Sequence, residues 1–165
     1  MKVTFYTFAD KRPDFIGLQL ASLRNFMQDE FELVVFNNAP KLHYFRRREI
    51  FQHCRQLQLK HEYVAEQDHS DPAVTCAQSI QWAFNEVIKK QTDGIAVIID
   101  SDMFPARKFS IVDYLGENDI AAVKQRRGAI KYLWNGIIFM NMATLPDRDN
   151  MNFMCGRVEN EPCDV

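Results

Sequence analysis

Ile95-Ala96-Val97-Ile98-Ile99-Asp100-Ser101-Asp102 is the stretch on which the reading of this chain turns. Its unbroken apolar row, mostly β-branched, predicts a strand buried on both faces, as in the interior of a parallel sheet. Asp93-Gly94 opens the strand, and two carboxylates one residue apart close it. Upstream, Val3 to Phe8 is rich in β-branched and aromatic residues and predicts a first strand that ends at Ala9-Asp10-Lys11-Arg12-Pro13. Phe15, Leu18, Leu20, Leu23 and Phe26 then recur at near-helical spacing, and Phe31 to Phe36 reads as the next strand. This is a β-α-β unit.

Past Asn37-Asn38-Ala39-Pro40, a basic amphipathic helix is expected over about 42–57, a short strand at Tyr63 to Ala65 and a long helix over about 73–91. After Pro105 a short helix near Ile111 to Leu115 leads to candidate strands at Asp119 to Lys124, Ala129 to Leu133 and Gly136 to Met142. No long helices separate these, so the second half is expected to be antiparallel or mixed. The tail from Met151 to Val165 carries Asn152, Gly156, Asn160 and Pro162 and reads as loop. The expectation is one α/β domain over 1–165, with a nucleotide-binding half (1–105) and a second half (106–165).

Composition narrows the classes. A chain of 165 residues, 47% hydrophobic and 25% charged, is long enough for a core and unlike disordered sequence. Twenty Lys and Arg against 22 Asp and Glu, a net charge of −2, give no global case for nucleic acid. The apolar runs fall far short of the ~18 residues of a membrane span, and the first ten residues lack the pattern of a secretion signal. Cys54, Cys76, Cys155 and Cys163 form no CxxC pair, and read as reduced thiols of a cytoplasmic protein. His43, His53, His61 and His69 have no paired metal spacing.

Chemistry concentrates at the strand ends, where ligands of open α/β sheets bind. Phe8 to Arg12, Asn37 to Pro40 and Asp100 to Pro105 are the predicted walls of one site. Asp100 and Asp102 supply hard oxygen ligands for Mg²⁺ or Mn²⁺, ions that complete their shells with substrate phosphates. Asn37 and Asn38 suit either turn chemistry or a hydrogen bond to a base edge. Lys11 and Arg12 are within reach of phosphate or simply solvated, and consecutive Arg46, Arg47 and Arg48 spread around their helix, so at most two converge on one anion. Trp134-Asn135-Gly136 suits sugar contact, by an indole face with close backbone approach at glycine, and equally suits plain packing.

The strand with Asp100-Ser101-Asp102, the following Met103-Phe104-Pro105 and the later Trp134-Asn135-Gly136-Ile137-Ile138-Phe139-Met140-Asn141 together resemble GT-A-fold glycosyltransferases. The resemblance covers most of the chain and implies a Rossmann-type mixed central sheet with helices on both faces. It implies a nucleotide-sugar donor, a UDP- or GDP-sugar, and a glycan or other hydroxyl acceptor. By the same analogy Asp102 is the direct metal ligand, and Asp100, beside Ser101, holds the ribose or a metal-bound water. Thr7, Phe8 and Asp10 grip the base and ribose. An inverting reaction needs a carboxylate base; Asp147, Asp149 and Asp164 are the late candidates, with Asp164 preferred because Cys163-Asp164-Val165 resembles a downstream segment of related enzymes. Against that family, the second half is expected to lack part of the acceptor side, with the tail mobile or borrowed by a neighbouring copy in a homo-oligomer.

Other classes fit less well. A haloacid-dehalogenase-like phosphatase wants Thr where Phe104 stands, a nucleotidyltransferase wants a Gly-rich loop after the first strand, and no Walker-A loop is present. The alternative that survives is a catalytically silent nucleotide-sugar-binding or scaffolding domain of the same fold.

Overall fold

The computed structural model describes residues 1–65, 71–158 and 161–163. A six-stranded sheet is built in the order β3-β2-β1-β4-β6-β5 from β1 (Val3–Ala9), β2 (Phe31–Asn37), β3 (Lys60–Tyr63), β4 (Ile95–Asp100), β5 (Ile120–Arg127) and β6 (Ile130–Asn141). β1 pairs in parallel with both β2 and β4, and β2 with β3. β6 runs antiparallel to β4 and β5, which makes the sheet mixed, as the short connections after Pro105 predict.

Helices cover both faces. α1 (Asp14–Phe26), α2 (Tyr44–Gln56) and α4 (Ile111–Leu115) lie on one side, where Ile16, Leu23, Ile50 and Ile111 meet Phe5, Val35, Val97 and Ile99. α3 (Pro72–Glu86) lies on the other, where Ile80 and Phe84 meet Tyr6, Phe36, Ala96 and Ile98. Alternate residues of β4 feed the two cores, so all of Ile95 to Ile99 is buried. That is why the run shows no alternation of polar residues.

Several boundaries differ from the sequence reading. The strand expected at Tyr63 to Ala65 comes earlier, at Lys60–Tyr63, because the ladder with β2 starts at Val34–Lys60 and ends at Asn37–Tyr63. The long helix stops at Glu86, and a 3-10 turn follows at Ile88–Lys90. Its start is sharper than periodicity alone shows: the Asp71 carboxylate accepts from the Ala73 and Val74 amides, with Pro72 in the first turn. The two strands expected at Ala129 to Leu133 and Gly136 to Met142 are one strand, β6, with an irregularity in its middle. The tail read as loop forms an antiparallel ribbon of β7 (Gly156–Val158) and β8 (Glu161–Cys163), the latter beside α3.

Cys54, Cys76 and Cys155 form no disulfide among the described residues. Burial pushes the Cys54 thiol up to about 11, so it behaves as core rather than as a nucleophile. Among the described residues no helix is long and apolar enough to cross a membrane.

One buried amide fixes the loop after β4. Gln19 of α1 is fully buried, and its Nε2 donates to the carbonyls of Asp100 (2.9 Å) and Met103 (3.0 Å). The Met103 amide also donates back to the Asp100 carbonyl, closing a turn around Ser101 and Asp102. Gln19→Met is therefore expected to lower stability by about 2 kcal/mol, by removing two buried donors. Gln19→Glu should cost more, since it sets acceptor oxygens against two carbonyls; urea midpoints for the two variants check the order.

Candidate active site

The C-terminal ends of β1 and β4, the segment after β2 and the first turns of α3 enclose a cleft of about 440 Å³. Phe8, Asp10 and Lys11 come from the end of β1, Asn38 and Pro40 from the segment after β2, and Asp100, Ser101 and Asp102 from the end of β4. Three segments remote in sequence thus meet where parallel-sheet proteins bind ligands.

Asp10 anchors the electrostatics. Its Oδ1 is buried without a hydrogen bond among the described residues, and the nearest cation is Arg46 Nη1 at 3.6 Å. Arg46 and His43 line the cleft from the start of α2. The even spread of the three consecutive arginines leaves Arg46 as the one that faces this cleft. On the opposite wall Ser79 Oγ stands 2.9 Å from Asn38 Oδ1 and 2.7 Å from the Thr75 carbonyl. The Asn38 amide donates to the Ala9 carbonyl, so the segment after β2 is held to both β1 and α3.

Other residues singled out in the sequence stand elsewhere. Thr7 is fully buried and its neighbours in alternation, Phe5 and Ala9, belong to the core under α1, away from the cleft. Asn37 is also fully buried; its Nδ2 donates to the Arg47 carbonyl and its Oδ1 accepts from the Ala39 amide, which makes it the tie between β2 and α2. Arg12 pairs with Asp14 at 2.6 Å and lies over the Phe15 ring, while its hydrogen bonds hold the Asp14 carboxyl below its ordinary value. Asp164 and His69 lie outside the described residues.

The irregularity in β6 brings Gly136 and the Trp134 ring beside Asp100. On β5, Ala122 faces Ile138 while the next residue, Val123, faces Trp134, so Asn135 to Ile137 bulge from the β5 ladder. Bulges of this kind re-aim side chains. Ile137 still pairs with Ile99, which sets Gly136 beside Asp100. A Cβ on Gly136 would collide with the Trp134 indole and come 2.7 Å from Asp100 Oδ2. The glycine is thus the gap that lets the indole lie close to the carboxylate. Asn135 is buried and donates to Cys76 Sγ of α3 at 3.7 Å. None of the three is among the residues that line the cleft; Gly136 and the half-buried Trp134 stand beside Asp100, at its border.

Periodicity and strand ends found Asp10, Asn38 and Asp100 to Asp102, but gave no sign of the α3 wall. Thr75, Cys76 and Ser79 line the cleft from one helix face, and their small side chains carried no chemical signature in the sequence. Among the described residues no three His, Cys, Asp or Glu side chains converge on one point. A two-carboxylate set suits an oxygen-seeking divalent cation that draws further ligands from substrate phosphate and water, and the orphaned Asp10 oxygen adds negative potential nearby.

Comparison with protein-family profiles and with curated proteins finds no match. Solved structures do resemble the chain. TarS from S. aureus (residues 1–349) is 18% identical, with 94% of this chain and 50% of that one covered at a TM-score of 0.50. The mannosyltransferase PcManGT from Pyrobaculum calidifontis, in complex with GDP-Man and Mn²⁺, is 18% identical over 84% of this chain and 44% of that one, TM-score 0.49. The apo glycosyltransferase GlyE of Streptococcus pneumoniae TIGR4 is 17% identical over 87% and 34%, TM-score 0.47. The chain spans between a third and a half of the length of these proteins. The likeness to TarS is one of fold. The mixed α/β sheet expected from the resemblance to GT-A-fold glycosyltransferases is the sheet observed.

Gly136→Ala should drive the indole off Asp100 and lower stability by about 1–3 kcal/mol, as overpacking at a close contact does. In a Trp82→Phe background the single remaining indole, Trp134, should then shift its emission towards that of exposed tryptophan. An unchanged spectrum would show that the contact absorbs a methyl group.

Proposed function

We propose that this chain is the donor-binding core of a metal-dependent glycosyltransferase, which takes a sugar from a nucleoside-diphosphate sugar to an acceptor hydroxyl. The observation that carries the reading is the meeting of Asp100-Ser101-Asp102 with Phe8, Asp10 and Asn38 in one cleft at the carboxyl end of the sheet. The base and ribose lie against Phe8, Asp10 and Asn38. The diphosphate lies between the carboxylates after β4 and the cationic side of the cleft, Lys11 and Arg46.

Asp102 and Asp100 would hold Mn²⁺ or Mg²⁺. Bound there, the cation neutralises charge on the departing diphosphate as a Lewis acid. The chain's own part is to fix that geometry. Gln19 pins the turn that carries both carboxylates, and Arg46 is close enough to exchange its long contact with Asp10 for a phosphate oxygen. The Trp134 indole, beside Asp100 across the Gly136 gap, is offered to the sugar. The acceptor's proton is assigned to Asp164.

Release of nucleoside diphosphate from a panel of UDP- and GDP-sugars with Mn²⁺ tests the reading. Turnover is expected for at least one donor and should be lost in Asp102→Asn, together with any metal-dependent rise in melting temperature on adding that nucleoside diphosphate. Donor binding without turnover across the panel would instead identify a silent binding domain. Equal melting shifts with and without chelator would overturn the metal assignment.

Trp134→Ala should weaken donor turnover by roughly tenfold while leaving binding of the bare nucleoside diphosphate nearly intact, since only a ligand carrying the sugar meets the indole. Equal loss for both ligands, measured side by side by calorimetry and turnover, would return Trp134 to a packing role.

A further inference from the structure

A second concavity lies away from the donor cleft, on the outer side of α2. It measures about 860 Å³ and runs between α2 and the edge strand β3. Tyr44, Arg47, Arg48, Phe51 and Arg55 line it from α2, and Tyr63 from β3. On α2 these positions recur at three- and four-residue steps, the spacing by which a helix builds one continuous face. Such a face normally packs against the core. On α2 the buried residues are Ile50 and Cys54, so the stripe is a second face without a covering element among the described residues.

Its chemistry is selective. Three arginines and no carboxylate line the groove among the described residues, in a chain whose net charge is −2. Arg47 lies 4.6 Å over the Tyr63 ring, and Phe51, His61 and Tyr63 meet edge to face. The guanidinium is thereby held against a ring, with no ion pair among the described residues. Gln52 and Gln56 complete the lining with amide donors and acceptors.

We propose that this groove binds an anionic oligosaccharide, as a docking site for the acceptor or product chain of the transfer; this part rests on the glycosyltransferase reading. Planar guanidinium and amide groups match carboxylate, sulfate or phosphate substituents and ring hydroxyls, while the exposed Tyr44 ring offers a face to sugar C–H surfaces. A single-stranded nucleic acid fits less well. Successive bases each need an open ring face, and beside the exposed Tyr44 the groove offers few, since the Tyr63 face is taken by Arg47 while Phe51 and His61 meet each other. α2 also connects the two sites: Arg46 faces the donor cleft, and its neighbours Arg47 and Arg48 face the groove.

The test is titration of the full chain with a fluorescently labelled sulfated hexasaccharide, followed by anisotropy at several salt concentrations. Binding that weakens as salt rises, and that falls by about tenfold or more in Arg48→Gln/Arg55→Gln, is the expected result. Tyr44→Ala, at an exposed position, serves as a second variant and should weaken binding without loss of fold. Unchanged affinity in both variants would overturn the proposal. So would equal or tighter binding of oligothymidylate or polyglutamate, which would make the groove a nucleic-acid or acidic-peptide surface. The donor reading is separated by the metal-dependent nucleoside diphosphate melting shift. Hexasaccharide binding through these arginines without that shift supports the groove and overturns the donor site, and the reverse pattern overturns the groove alone.

Discussion

A strand buried on both faces can present polar groups only at its ends, and β4 is such a strand. Its residues Ile95 to Ile99 are divided between two cores, and its last residue, Asp100, is the first able to reach solvent. The candidate site depends on this. Parallel pairing to β1 brings Asp100 level with Phe8, antiparallel pairing to β6 brings Gly136 beside it, and the buried Gln19 amide holds the turn that follows. Each neighbour of the carboxylates is thus delivered by the register of a strand whose position the hydrophobic effect has already set.

The cleft balances charge with little reserve. Asp10, Asp100 and Asp102 face Lys11 and Arg46, and the contact between Asp10 and Arg46 is long and partly exposed. An ion pair of that kind contributes little to stability. Its groups are for the same reason easily redirected to a ligand. The rigid parts of the site are neutral: the amide of Gln19, the Asn38–Ser79 contact and the backbone turn at Met103.

Much of this was legible in the sequence where a residue's type and its place on an element both spoke. The run to Asp100, the strand ends at Asp10 and Asn38 and the change to antiparallel strands after Pro105 are examples. The failures have physical reasons. Thr7 and Asn37 sit one residue from cleft positions, and because side chains alternate along a strand that single step turns them into the core under α1 and α2. Continuity of β6 was hidden because a bulge breaks period two in the way a turn does. The face of α2 escaped because its spacing belongs to a buried stripe and its residues do not. The wall from α3 escaped because Thr75, Cys76 and Ser79 have no distinctive type.

The bulge also divides β6 mechanically. From Ile137 to Asn141 the strand is held by β4 on one side, whereas from Trp134 outwards its ladder is with β5 alone, in a ribbon whose Val123 and Leu133 are both 45% exposed. The ribbon is an arm clamped at one end by the sheet, and among the described residues its outer part pairs with no third strand. Its fulcrum is Asn135-Gly136, one end tethered to α3 through Cys76 and the other lying against Asp100. A load on the tip of that arm would act at its root, where the indole and Asp100 meet.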